Sequence, residues 1–253
     1  MQLRIDLNAD LGEGFGPWRM GDDAALLDLV SSANIACGFH AGDPEIMRAT
    51  VRAAVARGVS IGAHPGFEDL RGFGRRRLPI SEAEAENLIA YQVGALCGVA
   101  ALEGAVVRHV KPHGALANLC QEDDGLALAV GRAIKAVDPK LLFLVMPGLA
   151  MARAAEKLGL GSFAEIYADR TYADSFNLTD RRSEGAVIHD ANAAAVRVAE
   201  FVKRGVITAM SGKELPVRID AVCVHGDNPE ALLMARAVRR VLEEAGYAIS
   251  PHP

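Results

Sequence analysis

Histidines, carboxylates and one lysine recur at equivalent places in this 253-residue chain: just after short apolar runs and just before helix-like stretches. N-A-D-L-G-E places Asn8, Asp10 and Glu13 there, and S-A-N-I-A-C-G-F-H-A-G-D-P places Asn34, Cys37, His40 and Asp43. G-A-H-P-G supplies His64, V-K-P-H-G-A-L supplies Lys111 and His113, and Y-A-D-R-T-Y supplies Asp169 and Arg170. V-H-G-D-N-P adds His225, Asp227 and Asn228. Imidazoles oriented by carboxylates are the usual means of acid–base catalysis near neutral pH. Asp10, His40, His64, His113 and His225 are also enough N and O donors for a divalent metal, and three ligands would leave a position open for water. No H-x-x-x-H or H-E-x-x-H pair lies on a predicted helix, so metal-dependent and metal-free chemistry both stay open. Lys111 beside His113 suits an anionic substrate or developing negative charge. Cys37 near histidines and a helix start is a nucleophile candidate, although a small core residue is its commoner role.

These residues need a scaffold that turns all of them the same way. Residues 3–10 alternate with period two and predict a strand. Further strands are predicted at 33–38, 59–63, 106–111, 141–146, 163–168 and 221–224, with helices at 22–31, 43–57, 81–103, 190–203 and 228–245. Asp43 followed by Pro44 reads as an N-cap and first helical residue, and Ser81 with Glu84 as a capping box. Residues 206–219 read as a hairpin around S-G-K-E. Strand then helix, repeated about seven times, predicts an α/β protein with parallel strands. Motifs needing a common mouth favour a closed or nearly closed βα barrel over an open doubly wound sheet, because barrel sites are built at the C-terminal strand ends. With no linker-like stretch, residues 1–253 are expected to form one domain. Residues 66–77 (G-F-E-D-L-R-G-F-G-R-R-R) make a long, glycine-rich connection of the kind that acts as a lid; Arg71 or Arg75 in it suits a carboxylate. The glycines of G-A-H-P-G read as turn residues. The face of the last helix formed by Leu232, Ala235, Val238 and Leu242 has the spacing that barrel packing requires.

A net charge of −5 with one dense basic run, Arg75–Arg77, argues against binding a nucleic-acid backbone. Four cysteines without C-x-x-C spacing fit a reducing compartment. No signal-peptide pattern and no apolar run of membrane-span length is apparent, so a soluble cytoplasmic protein is expected. Gly212-Lys213 lacks the rest of a P-loop, so a self-contained nucleotide site of that kind is absent.

Taken in order, D-L-N-A-D-L-G-E-G-F-G, S-A-N-I-A-C-G-F-H-A-G-D-P, I-G-A-H-P-G-F-E-D-L-R-G-F-G-R-R, V-K-P-H-G-A-L, Y-A-D-R-T-Y and V-C-V-H-G-D-N-P resemble the LamB/YcsF family, which provides the A subunits of 5-oxoprolinases. The resemblance implies a distorted, TIM-like, seven-stranded βα barrel of the glycoside hydrolase/deacetylase type. It also implies a share in the ATP-dependent opening of 5-oxoproline to L-glutamate, with two partner subunits, B and C. Activation of the lactam oxygen by ATP would make the ring carbon electrophilic; a base-activated water adds and an acid protonates the leaving nitrogen. On that reading Asp10, His64, Lys111 and His113 are the catalytic candidates. Asn8, Glu13, His40, Arg71, Asp169, Arg170, His225 and Asp227 are the substrate-binding ones, and Asp10, His64 and His113 the metal-binding ones. ATP would be taken up with the partner subunits. Two departures from the family pattern bear on the pocket: Ala117 where a tyrosine is usual, and Ser175-Phe176 where a glycine is usual. The competing readings are a stand-alone metal-dependent amide or carbohydrate deacetylase and a binding subunit without chemistry of its own.

Overall fold

Alternation in the first strand sets the architecture. In β1 (Leu3–Leu11) Asp6, Asn8 and Asp10 share one face, and Leu7, Ala9 and Leu11 the other. Both faces are buried from Ile5 onward, as in a strand covered on one side by helices and closed on the other into a barrel. The computed structural model describes residues 3–224 and 231–253. His225 and Asp227 lie outside the described residues.

After β1 come α1 (Asp23–Leu27), β2 (Ser32–Ala36), α2 (Pro44–Val55), β3 (Ser60–His64), α3 (Glu82–Leu102) and β4 (Val107–Val110). Then follow α4 (Gly114–Glu122), α5 (Asp124–Val137), β5 (Leu142–Val145), α6 (Ala150–Leu158), β6 (Ser162–Tyr167) and α7 (Ala191–Arg204). The chain ends with β7 (Val206–Thr208), β8 (Glu214–Pro216), β9 (Ala221–Val224), α8 (Ala231–Glu244) and β10 (Tyr247–Ile249). Strands β1, β2, β3, β4, β5, β6 and β9 pair in parallel in that order, and β1 pairs with β9, closing a seven-stranded barrel. β10 lies parallel to the first residues of β1, and β7 and β8 form the antiparallel hairpin. The barrel is the predicted one; α4, α5, α6 and β10 are additional to the elements read from sequence.

Local chemistry explains the helix starts. Asp43 accepts from the amides of Glu45 and Ile46, with Pro44 as the first helical residue, and also from Gly16, which ties the loop after β1 to α2. The Ser81–Glu84 capping box opens α3. α3 corrects one expectation: its 21 residues are long and apolar enough, by length and composition, to cross a membrane. Its apolarity is accounted for within the fold, where Ala85, Ile89, Val93, Leu96 and Ala100 are buried and it packs closely on α5. The apolar core lies between the strands' outer faces and the helices. Ala235, Val238 and Leu242 of α8 are buried in it.

Candidate active site at the barrel mouth

The barrel lumen is polar, and its side chains form tiers. Lowest, Asp6 accepts from the hydroxyls of Ser31 and Ser32, each at 2.7 Å. Above it, Asn34 donates from Nδ2 to Asn8 Oδ1 at 2.7 Å and to Asp10 Oδ1 at 2.9 Å. His109 Nε2 meets Asn34 Oδ1 at 2.7 Å and so is its donor. Gly62 makes room for that ring: a Cβ at this position would lie 2.0 Å from His109 Nε2. Gly62 is therefore a strand residue kept small by a close approach, not a turn residue.

At the mouth, Lys111 Nζ donates to Asp10 Oδ1 at 2.9 Å and lies 3.0 Å from Cys223 Sγ and 3.5 Å from Glu165 Oε2. Burial alone would lower the lysine's pKa; the Asp10 carboxylate, with Cys223 and Glu165, overrides it and holds the ammonium well above its ordinary value. Tyr167 donates to Glu165 Oε1 at 2.9 Å. His64 Nε2 stands 3.3 Å from Asp10 Oδ2 and 3.0 Å from His113 Nδ1. His113 Nδ1 is 3.7 Å from Glu13 Oε1, and His40 Nε2 is 3.4 Å from the same oxygen. Glu13, His40, His64 and His113 each bring one donor atom within 4.8 Å of the others. Burial, followed by the neighbouring imidazoles, lowers the pKa of both His40 and His113 well below the usual histidine value, so both rings are neutral at pH 7.

The structure thus brings Asp10, Glu13, His40, His64, Lys111 and His113 together. Asn8 sits one tier beneath Asp10 and supports the floor. Asp169 and Arg170 follow β6 at the same end, but the Arg170 guanidinium donates to the carbonyls of Thr179 and Ala186 and so holds the 171–187 loop. Arg71 is exposed on a 3-10 turn (Leu70–Gly72). The arginine of that segment whose charge bears on His40 and His113 is Arg75, which lies 5.0 Å over the Phe73 ring. Phe73 in turn meets His40 and His113 edge-on.

The 66–77 segment is tied to its surroundings at several points. Gln92 of α3 clamps Gly66 through both its amide and its carbonyl. Asp69 takes Arg76 and the Gly72 amide, and Ala115 donates its amide to Gly74 O. Cys37 is buried, and burial pushes its thiol up to about 12, which removes the thiolate that a nucleophile needs. Sequence reasoning did not single out His109, Glu165, Tyr167 or Cys223. Their signal was the period-two alternation of β4, β6 and β9, which puts His109 in line with Lys111 and Glu165 in line with Tyr167. Phe176, one of the two departures, takes a left-handed backbone (φ 72°) with its ring against Gly148. A glycine would adopt that conformation freely.

The LamB/YcsF family model matches residues 5–253. The chain belongs to the LamB/YcsF family. This LamB/YcsF chain is 57% identical over 250 residues to a protein of Rhodopseudomonas palustris (strain BisB5) named as the A subunit of 5-oxoprolinase, covering 98% of each. Among solved structures, the lactam utilization protein of Thermus thermophilus superposes with a TM-score of 0.94 at 43% identity, over 99% of this chain and 100% of that one. The catalytic domain of a peptidoglycan N-acetylglucosamine deacetylase from Eubacterium rectale shares the fold alone, with a TM-score of 0.54 at 9% identity, over 100% of this chain and 90% of that one.

Proposed function

We propose that this chain is the A subunit of an ATP-dependent 5-oxoprolinase, opening 5-oxoproline to L-glutamate together with two partner subunits, B and C, in the cytoplasm. The observation that carries the reading is the 57% identity, across 98% of both chains, to a protein named as the A subunit of 5-oxoprolinase. The mouth supplies what such a reaction needs. A lactam is a resonance-stabilised amide, so negative charge on its oxygen must be met, and a fixed, desolvated cation is the strongest means of meeting it. Lys111 is that cation. Asp10, His64 and His113 activate water and move the proton to the leaving nitrogen. Glu13 and His40 line the same chamber, and Arg75, whose charge bears on His40 and His113, is the candidate for a substrate carboxylate; Asp169 and Arg170 shape the neighbouring loop. ATP enters with the partner subunits, since the sequence holds no P-loop. A divalent ion at the histidine cluster belongs to the same reading.

The test is reconstitution. The chain is assayed alone with ATP and magnesium, then with both partner subunits, and glutamate is counted per ATP consumed. Turnover only in the assembled mixture is expected. Efficient ATP-independent hydrolysis by the isolated chain would replace this reading with the stand-alone hydrolase.

A further inference from the structure

The hydrogen bonds on the far sides of His64 and His113 settle which ring nitrogens carry hydrogen. His64 Nδ1 lies 2.6 Å from the carbonyl oxygen of Lys111, and His113 Nε2 lies 2.8 Å from that of Phe73. A carbonyl only accepts, so both of these nitrogens must be donors. With one hydrogen on each ring, the remaining nitrogens, His64 Nε2 and His113 Nδ1, are bare, and these two face each other at 3.0 Å. Two lone pairs at that distance repel unless something positive lies between them. Asp10 Oδ2 stands 3.3 Å from His64 Nε2, and Glu13 Oε1 stands 3.7 Å from His113 Nδ1. Tetrahedral ligands at bond lengths of about 2.0–2.1 Å stand about 3.3 Å apart, the middle of this range. A shared proton would serve only the two nitrogens. A cation serves all four donors.

We infer that the mouth holds one borderline first-row divalent ion, of the zinc, cobalt or manganese class, through His64 Nε2, His113 Nδ1, Asp10 Oδ2 and Glu13 Oε1, with His40 outside the ligand shell. Ring geometry excludes His40. An imidazole lone pair lies in the plane of its ring, so the ion must lie in the plane of every ligating ring. The His64 and His113 planes cross at 87° and share a line. His40 is stacked on His113, 5° from parallel with centroids 3.8 Å apart. A point in the His113 plane is therefore far out of the His40 plane. His40 is a positioning residue, holding the His113 ring by stacking and presenting Nε2 toward Glu13 Oε1. Mixed imidazole and carboxylate donors select against calcium and magnesium, which prefer all-oxygen sets. An ion in this place supplies the usual activation of water. The inference deepens the lactam reading by naming its cofactor, and its binding test needs neither lactam nor ATP.

The experiment titrates chelator-treated full-length chain with cobalt(II), following visible d–d absorption and counting metal per chain, with zinc as competitor and calcium and magnesium as controls. One ion per chain is expected, displaced by zinc and not by calcium or magnesium. His113→Gln and Glu13→Gln should each weaken binding at least about 100-fold, more than the loss of an outer-shell partner does. His40→Phe should keep the stoichiometry and the band shape. Circular dichroism checks that each variant folds. Failure of the folded wild-type chain to bind cobalt, or unchanged binding in His113→Gln, would overturn the site; loss of the spectrum in His40→Phe would overturn the ligand set. If chelated chain still drives glutamate formation at the full rate in the assembled enzyme, the ion is not the reaction's cofactor, which overturns that part of the inference, and the lactam reading stands.

Discussion

Gly62→Ala is a one-methyl change with a large expected consequence. The added Cβ would lie 2.0, 2.3 and 2.4 Å from three atoms of the His109 ring. To reach an ordinary contact near 3.5 Å, the ring must retreat by about 1.5 Å. It cannot do so and keep its 2.7 Å bond to Asn34 Oδ1, and Phe163 stands edge-on to it with centroids 5.4 Å apart. Overpacking costs about 1–3 kcal/mol, and leaving the buried Asn34 oxygen unsatisfied costs about 1–3 kcal/mol more. The substitution should therefore destabilise the chain by about 2–6 kcal/mol, a large share of a typical domain's stability. Asn34 also positions Asp10, so turnover in the assembled enzyme should fall by about 100-fold if the carboxylate moves by about 1 Å. The assay is urea denaturation of wild type, Gly62→Ala, His109→Ala and the double variant. Removing the ring removes the clash, so Gly62→Ala should cost at least about 1 kcal/mol less in the His109→Ala background. Equal costs in both backgrounds, or a single variant within about 0.5 kcal/mol of wild type, would refute the reasoning.

Asp10→Ala and His113→Ala should each lower glutamate formation in the reconstituted enzyme by about 100-fold or more while the circular dichroism spectrum is kept; wild-type rates would remove their roles. At pH 8 the Cys37 thiol, pushed up to about 12 by burial, is ionised in about one molecule in ten thousand. Iodoacetamide followed by peptide mass analysis should therefore leave Cys37 unmodified and label the half-buried Cys97 first. Burial also pushes His109 down to about 3. Below about pH 6.5 the unfolded chain takes up a proton that the folded chain refuses. The contribution of His109 is thus complete above pH 6.5 and is lost as the pH falls toward 3, by about 1.4 kcal/mol per pH unit. Urea titrations at pH 6.5 and 4.5 should show His109→Gln, which keeps a donor toward Asn34, losing about 2–3 kcal/mol less than wild type over that interval; parallel losses would exclude it.

The barrel was legible because its punctuation is strong. The Asp43-Pro44 start, the Ser81–Glu84 box and the period-two run of β1 are each settled by neighbours a few residues away, and the structure places all three. α4, α5 and α6 were harder to read. α4 and α6 follow V-K-P-H and M-P-G, and His113 and Leu149 at their N-cap positions make no side-chain cap bond; α5 does carry a cap, Asp123, which accepts from the amides of Gly125 and Leu126. The mouth was legible as a set of residue types, because strand ends collect in a barrel. Which donors meet was not, since it depends on how far each strand rises. Asp10 and Lys111 are 101 residues apart in sequence and 2.9 Å apart in space. Two anchors of the glycine-rich 66–77 segment, Gln92 and Ala115, lie outside it and were not legible from its own residues. His109 and His113 look alike as a spaced pair, yet one is part of the floor and the other faces the chamber. Only the register of β4 separates them.

The first strand of the barrel is also its last to be completed. β1 finds β2 soon after it is made, but its other edge waits for Ala221–Val224 and Tyr247–Ile249. At about 5–20 residues per second of synthesis, that edge stays open for about 10–50 s as the nascent chain lengthens on the ribosome. An open, apolar strand edge in a slow-closing parallel sheet invites intermolecular pairing. Here the waiting strand carries Asp6, Asn8 and Asp10 on the face that will become the lumen, and charged side chains on the inward face of an edge are a known deterrent to such pairing. The residues that line the finished chamber thus guard the unfinished one, and trading them for apolar residues would lower the yield of folded chain as well as its turnover.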